Sequence, residues 1–219
     1  MELSAIEKLC AQGEGQHLEF KKKANYPEKI VKELVAFANS EGGTLLLGVD
    51  DDGTVSGTRN IEGEAFILED AIAKWIRPQL NYSLEILPIN AKKGVALFEI
   101  PHCHKKPHYV KLAGDRGKGT AYVRRKDESL QASAELCEIL RRQGKVQNVQ
   151  FHYGDKEKAL MAYIDEHGSI TLNEFAHQAN ISRYMASRTV IKLVLANVLE
   201  LIPDSPEDRY TAKEVADTY

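Results

Sequence analysis

Three carboxylates sit where a short length of chain could gather them. Glu14 and Glu19 lie in Gly13-Glu-Gly-Gln-His-Leu-Glu-Phe-Lys21, and Asp50 is the first acid of Gly48-Val-Asp-Asp-Asp-Gly53. Converging, they would offer the oxygen ligands that Mg²⁺ or Mn²⁺ prefers, and such an ion orients water and stabilises charge on a breaking phosphodiester. The same residues have a purely structural reading. Aspartates suit the tight turn at Asp52-Gly53, and Glu19 stands ready to pair with Lys21. Basic clusters accompany the acids: Lys21, Lys22 and Lys23, then Lys105 and Lys106, then Arg124 and Arg125. Each falls at the end of an expected strand. Taken singly they protect sheet edges from aggregation; taken together, with Tyr109 and Tyr122 nearby for base stacking, they suit contact with RNA or a single strand. Gly114-Asp-Arg-Gly-Lys-Gly119 adds Arg116 and Lys118 on a glycine-rich tip, which reads either as a solvated turn or as a loop whose amides approach phosphate.

The elements that must position these groups follow from pattern. Leu45, Leu46, Leu47 and Val49 form a buried strand that carries Asp50 to its end, with Gly42 and Gly43 closing a helix just before it. Leu18 and Phe20 alternate with His17, Glu19 and Lys21, so a strand there buries the first pair and presents Glu19 beside Lys21. Between the two strands, Pro27 to Asn39 places Ile30, Val31, Leu34, Val35 and Phe37 at helical spacing, with Pro27 in the first turn. The pattern also predicts a short helix from Ser4 to Cys10 and another over Phe66–Leu80. A strand pair over Leu84–Ile89 and Val95–Ile100 follows. Strand, helix, strand, helix, strand, strand is the order of an α+β sandwich with helices on a sheet.

Read together, Glu-x4-Glu-Phe-Lys, Ala36-Phe-Ala-Asn-Ser-Glu-Gly-Gly43 and Gly48-Val-Asp-Asp-Asp-Gly53 resemble the Schlafen AlbA_2 domain. Lys106-Pro-His-Tyr-Val110, Ala121-Tyr-Val-Arg-Arg125 and Ser129–Arg142 extend the likeness over about the first two thirds of the chain. The resemblance implies an Alba-like α/β sandwich over residues 1–143. Members include nucleic-acid-binding regulators and, in some branches, metal-dependent nucleases acting on structured RNA such as tRNA. In those branches the acidic triad would map onto Glu14, Glu19 and Asp50. Animal relatives join two such halves in one chain, so the resemblance also implies a homodimer here.

Residues 144–154 are polar and aperiodic and read as a linker. Beyond them, helices over Lys156–His167 and Leu172–Ala179 and a third from Ser182 to about Ala196 precede a hairpin around Pro203–Asp208. Three helices closed by a hairpin suit a small winged helix-turn-helix over residues 155–219. Arg183, Tyr184, Ser187, Arg188 and Lys192 would face a nucleic-acid groove. Residues 1–153 carry 22 Lys and Arg against 21 Asp and Glu, whereas residues 154–219 carry 7 against 11. Nucleic acid must therefore be met by local clusters rather than a whole-domain field.

The composition limits the remaining classes. No apolar run reaches the roughly 20 residues that span a bilayer, and the N-terminal residues lack the basic flank and apolar core of a signal peptide, so a cytoplasmic protein is expected. Three widely spaced cysteines do not make a disulfide framework. His102, Cys103, His104 and His108 are zinc-type residues without zinc spacing. The absence of a Gly-x4-Gly-Lys-(Ser/Thr) run excludes ATP hydrolysis through a Walker loop. The sequence thus supports a nucleic-acid-binding protein acting as a DNA-binding regulator. Its alternatives are a Mg²⁺- or Mn²⁺-dependent ribonuclease and a protein-interaction adaptor.

Overall fold

A computed structural model describes residues 3–115, 117–143, 149 and 151–213. The chain is mixed α and β and divides after Gln131 into two compact units. The first begins with α1 (Leu3–Cys10), β1 (Leu18–Lys21), α2 (Pro27–Asn39) and β2 (Gly43–Leu47). It continues through β3 (Thr58–Arg59), α3 (Ile61–Trp75), β4 (Ile76–Arg77), β5 (Ser83–Asn90) and β6 (Lys93–Ile100), and ends with β7 (Tyr109–Val110), β8 (Tyr122–Arg125) and β9 (Glu128–Gln131).

β1 and β2 run parallel with α2 as their crossover, in the register Glu19 opposite Leu45. β2 is antiparallel to β6, which also pairs with β5 and, at Thr58 and Gly94, with β3. Side chains alternate between two cores, as a pleated strand requires. Leu45, Leu47, Ala96 and Phe98 pack with α2 and α3. Leu18, Phe20, Leu46, Val95 and Leu97 pack with Ile6 and Cys10 of α1.

Double coverage corrects the expectation for β1. Leu18 and Phe20 bury against α1, but Glu19, on the opposite face, is buried as well, at 5% exposure. The α3 expectation shifts too. This helix starts at Ile61, not Phe66, behind Asn60 in a left-handed conformation, and it stops at Trp75. Phe66, where the expected helix began, is exposed, as is Ile67.

The turn from α2 into β2 uses both glycines. Gly42 has φ +86°, and a Cβ on Gly43 would come 2.4 Å from the ring of Phe37. A larger residue there would force the helix end away from the strand.

The second unit holds α4 (Ala134–Arg142), α5 (Asp155–His167), β10 (Ile170–Thr171), α6 (Leu172–Gln178), α7 (Arg183–Leu195), β11 (Leu199–Ile202) and β12 (Arg209–Ala212). The sequence reading groups α4 with the first domain. It packs instead with α7, where Ser187 donates a 2.6 Å hydrogen bond to Oε1 of Glu135. β10, β12 and β11 form a small antiparallel sheet. Leu160, Ile164, Phe175, Val190 and Tyr210 build the core beneath it. Thr171 and Ser182 cap α6 and α7 through their side-chain oxygens. Among the described residues no helix is long and apolar enough to cross a membrane.

Candidate nucleic-acid interface and the carboxylate cluster

Sequence pattern places Glu19 on the α2 side of β1, and α2 delivers Glu33 to the same side. Arg124 of β8 lies between them with its side chain wholly buried. Its Nε donates to the Gly15 carbonyl at 3.0 Å. One terminal nitrogen, Nη1, donates to Glu33 at 2.7 Å and to Ser129 Oγ at 3.3 Å. The other, Nη2, donates to Glu19 at 2.6 Å and to the Leu18 carbonyl at 3.3 Å. All five guanidinium donors are therefore matched. The Phe37 ring lies 5.0 Å from the guanidinium carbon. Ser129 donates to Glu33, and Lys21 donates to the other Glu19 oxygen.

This arrangement corrects the assignment of Arg124 to nucleic-acid contact. An arginine with every donor satisfied inside the protein has none left for phosphate, and exposing it would strand two carboxylates. Lys21 is likewise held by Glu19 and by the Phe20 carbonyl.

Glu14 accepts the Phe20 amide at 2.8 Å. Burial first, then the Glu19 charge, pushes Glu14 above the usual glutamate value. Glu33 is also raised, chiefly by burial and then by Glu19, with Ser129 and Arg124 opposing.

Asp50 does not join this group through any observed contact. It is paired with Lys22 at 2.6 Å, and that contact holds it below the usual aspartate value. Among the described residues, no set of three or more His, Cys, Asp or Glu side chains is arranged to hold a metal ion. The donor chemistry agrees. Both Glu19 oxygens already face protein cations, and the Asp50 charge is answered by Lys22. The expected Glu14, Glu19 and Asp50 triad therefore does not fit a resident Mg²⁺ or Mn²⁺ in this arrangement.

The remaining candidates separate by exposure. Lys22, Lys23, Lys105 and Lys118 are exposed, and Arg125 is half-buried. Lys106 is half-buried with its ammonium on the Ser40 carbonyl, and burial lowers its pKa. Arg116 lies outside the described residues.

Asn39 and Ser40 hold roles that no sequence expectation covers. Asn39 Nδ2 donates to the carbonyls of His108 (2.9 Å) and Tyr122 (2.8 Å), while its Oδ1 accepts the His108 amide at 2.7 Å. Ser40 Oγ accepts the Arg124 amide at 2.8 Å. The Ala-Phe-Ala-Asn-Ser run is thus a clamp that ties β7 and β8 to the end of α2. Its signal in the sequence was a polar pair directly after an apolar helix.

In the second unit, Asn180 turns the chain in a left-handed conformation and Ser182 caps α7. The first turns of α7 expose Arg183, Tyr184 and Arg188, and Lys192 follows along the helix. Tyr184 is 70% exposed, with the Arg188 guanidinium 5.7 Å from its ring centre and bonded to its hydroxyl at 3.1 Å. Arg183 Nε reaches Asn173 of α6 at 3.3 Å. Ser187 faces α4 rather than solvent and leaves the expected groove face. A hollow of about 640 Å³ flanks the helix, and Phe151, Met185, Arg188 and Lys192 are among the residues that line it.

Comparison with known proteins places these features in context. The family described as Schlafen, AlbA_2 matches residues 14–133, which include Glu14, Glu19, the clamp and Arg124. The chain also resembles the solution structure of the N-terminal domain of a RecG-related protein from Nitrosomonas europaea. The two are 22% identical, with 69% of this chain and 97% of that domain covered at a TM-score of 0.42. A second similar structure is the DIP2311 protein from Corynebacterium diphtheriae, at 16% identity and a TM-score of 0.41. The match covers 68% of this chain but 28% of that protein's length.

Proposed function

We propose, for a chain that belongs to the Schlafen AlbA_2 family, that it is a nucleic-acid-binding protein acting as a DNA-binding regulator. The observation that carries this reading is the exposed row Arg183, Tyr184, Arg188 and Lys192 on a capped helix that follows α6 through a tight turn. Helix, turn and second helix is the arrangement that lays side chains into a major groove. With α5 before it and β10, β12 and β11 closing the unit, the second unit acts as a winged helix. The exposed lysines of the first unit, Lys22, Lys23, Lys105 and Lys118, add phosphate contacts that carry no sequence information. Two-fold symmetry in the target favours a homodimer, in which two copies present paired α7 helices.

The test is retention of labelled duplex DNA and of a structured RNA such as tRNA by the full chain, across a salt series, with Mg²⁺, Mn²⁺ or chelator. The reading expects DNA retention whose logarithm falls linearly with the logarithm of salt, and intact nucleic acid throughout. Loss of all retention at low salt overturns it in favour of an adaptor role. RNA cleavage that requires metal and vanishes in Glu19→Gln overturns it in favour of a ribonuclease.

A further inference from the structure

Away from these surfaces, the loop between β6 and β7 brings a thiol onto an imidazole. Cys103 Sγ lies 3.1 Å from His108 Nε2. His108 Nδ1 lies 3.0 Å from the carbonyl oxygen of Pro78. A carbonyl only accepts, so Nδ1 carries the ring proton and the Nε2 lone pair faces the sulfur. His108 is 1% exposed, and the Asn39 clamp holds both its amide and its carbonyl, so the ring keeps this orientation. Cys103 itself is only half-buried, and its Sγ also lies 3.7 Å from the Lys105 carbonyl oxygen. Nucleophile, base and orienting acceptor are the three parts of an activated thiol.

We propose that Cys103 and His108 form a thiol–imidazole pair that makes Cys103 the site at which this protein reacts with peroxides. The S–H proton passes to His108 Nε2 as sulfur attacks one peroxide oxygen. The O–O bond breaks, and the departing hydroxide takes the proton from Nε2 and leaves as water. Sulfur loses two electrons and becomes a sulfenic acid, while the peroxide is reduced.

The surroundings favour the neutral pair as the resting state. Burial, and then the nearby Lys106 ammonium, lower the His108 pKa, so the ring remains a base through neutral pH; its contact with the Pro78 carbonyl opposes this. Lys106 also acts electrostatically with Cys103, and Glu41 partly offsets its charge. His102, His104 and Lys105 are the other titratable groups of the loop, with the two histidines edge to face at 5.2 Å, and Asn39 and Pro78 contribute no charge. The other two thiols are poorer nucleophiles. Burial raises the pKa of both Cys10 and Cys137.

The full-length protein treated with hydrogen peroxide and dimedone, which traps sulfenic acid, gives adduct rates at all three cysteines by mass spectrometry. We expect Cys103 to react at least tenfold faster than Cys10 and Cys137, and tenfold faster than Cys103 in the urea-unfolded chain. His108→Gln should return it to the unfolded rate. Because that variant removes a buried ring, the pH profile of the unaltered protein is a second readout. Base assistance gives a rate that changes little between pH 6.5 and 8.5, whereas an unassisted thiol gains about tenfold per pH unit below its pKa. A Cys103 rate equal to that of the unfolded chain, with the steep profile, would overturn the proposal.

Discussion

Arg124 gives its five donors to Gly15, Leu18, Glu19, Glu33 and Ser129 and has no solvent exposure, whereas Arg188 rests on the ring of Tyr184 at the surface of α7. From the sequence both are candidates for contact with nucleic acid. One belongs to a closed network in which the carboxylates Glu19 and Glu33 face the cations Lys21 and Arg124. The other is a charge held at a surface. Charge that is matched internally specifies a fold; charge that is left at a surface can meet a partner.

The strongest way to break this comparison is to remove the matched charge. Arg124→Met leaves the half-buried Glu33 without its counter-ion and the buried Glu19 with Lys21 alone, and loss of one partner from a buried pair costs roughly 3–5 kcal/mol. Urea unfolding of the variant should show that loss. A midpoint like that of the parent would mean the network is dispensable.

Glu33 sharpens the same point through pH. Its pKa is raised in the folded state, so the folded protein binds more protons than the unfolded chain once pH exceeds the ordinary glutamate value. The stability it contributes is full below that value and is lost as pH rises through the raised one. Glu14 acts in the same direction. Unfolding midpoints measured upward from about pH 4.3, the ordinary glutamate value, should therefore contain a declining component, and Glu33→Gln should flatten it. An unchanged slope would place the proton elsewhere.

Asp50 has the opposite sign and a smaller effect. Pairing with Lys22 lowers its pKa, so its contribution is present above the ordinary aspartate value and disappears as pH falls through the folded one. This pair is at the surface, where screening leaves little net stabilisation. Asp50→Asn should leave neutral-pH stability within error and alter only the acid limb of the curve. A large loss at neutral pH would show that Asp50 supports more than Lys22.

Much of the scaffold was legible in the sequence. Pro27 and Asn39 bound α2 as read, because a proline at the first turn and a polar residue before two glycines leave little freedom. The Thr171 and Ser182 caps set the starts of α6 and α7 as firmly. The partition of charge was not legible. Glu19 alternates with apolar neighbours, which reads as one wet face, and only the packing of α2 and β8 over that face reveals that it is dry. Arg124 sits in Arg-Arg-Lys, which reads as a surface, yet the residues that bury it come from up to 109 positions away. The Cys103 and His108 contact depends on a loop path and on Pro78, thirty positions from His108.

The central claim is that the α7 face, rather than the basic rim of the first unit, supplies most of the contact with duplex DNA. Fluorescence anisotropy with one labelled duplex at a fixed salt concentration decides it between two variants. Arg188→Gln with Lys192→Gln should weaken binding about tenfold, on the order of 1.4 kcal/mol, as expected for losing two phosphate or base contacts. Lys22→Gln with Lys23→Gln should weaken it by a smaller factor. Equal affinity of the α7 variant and the parent, with loss confined to the first-unit variant, would contradict the account.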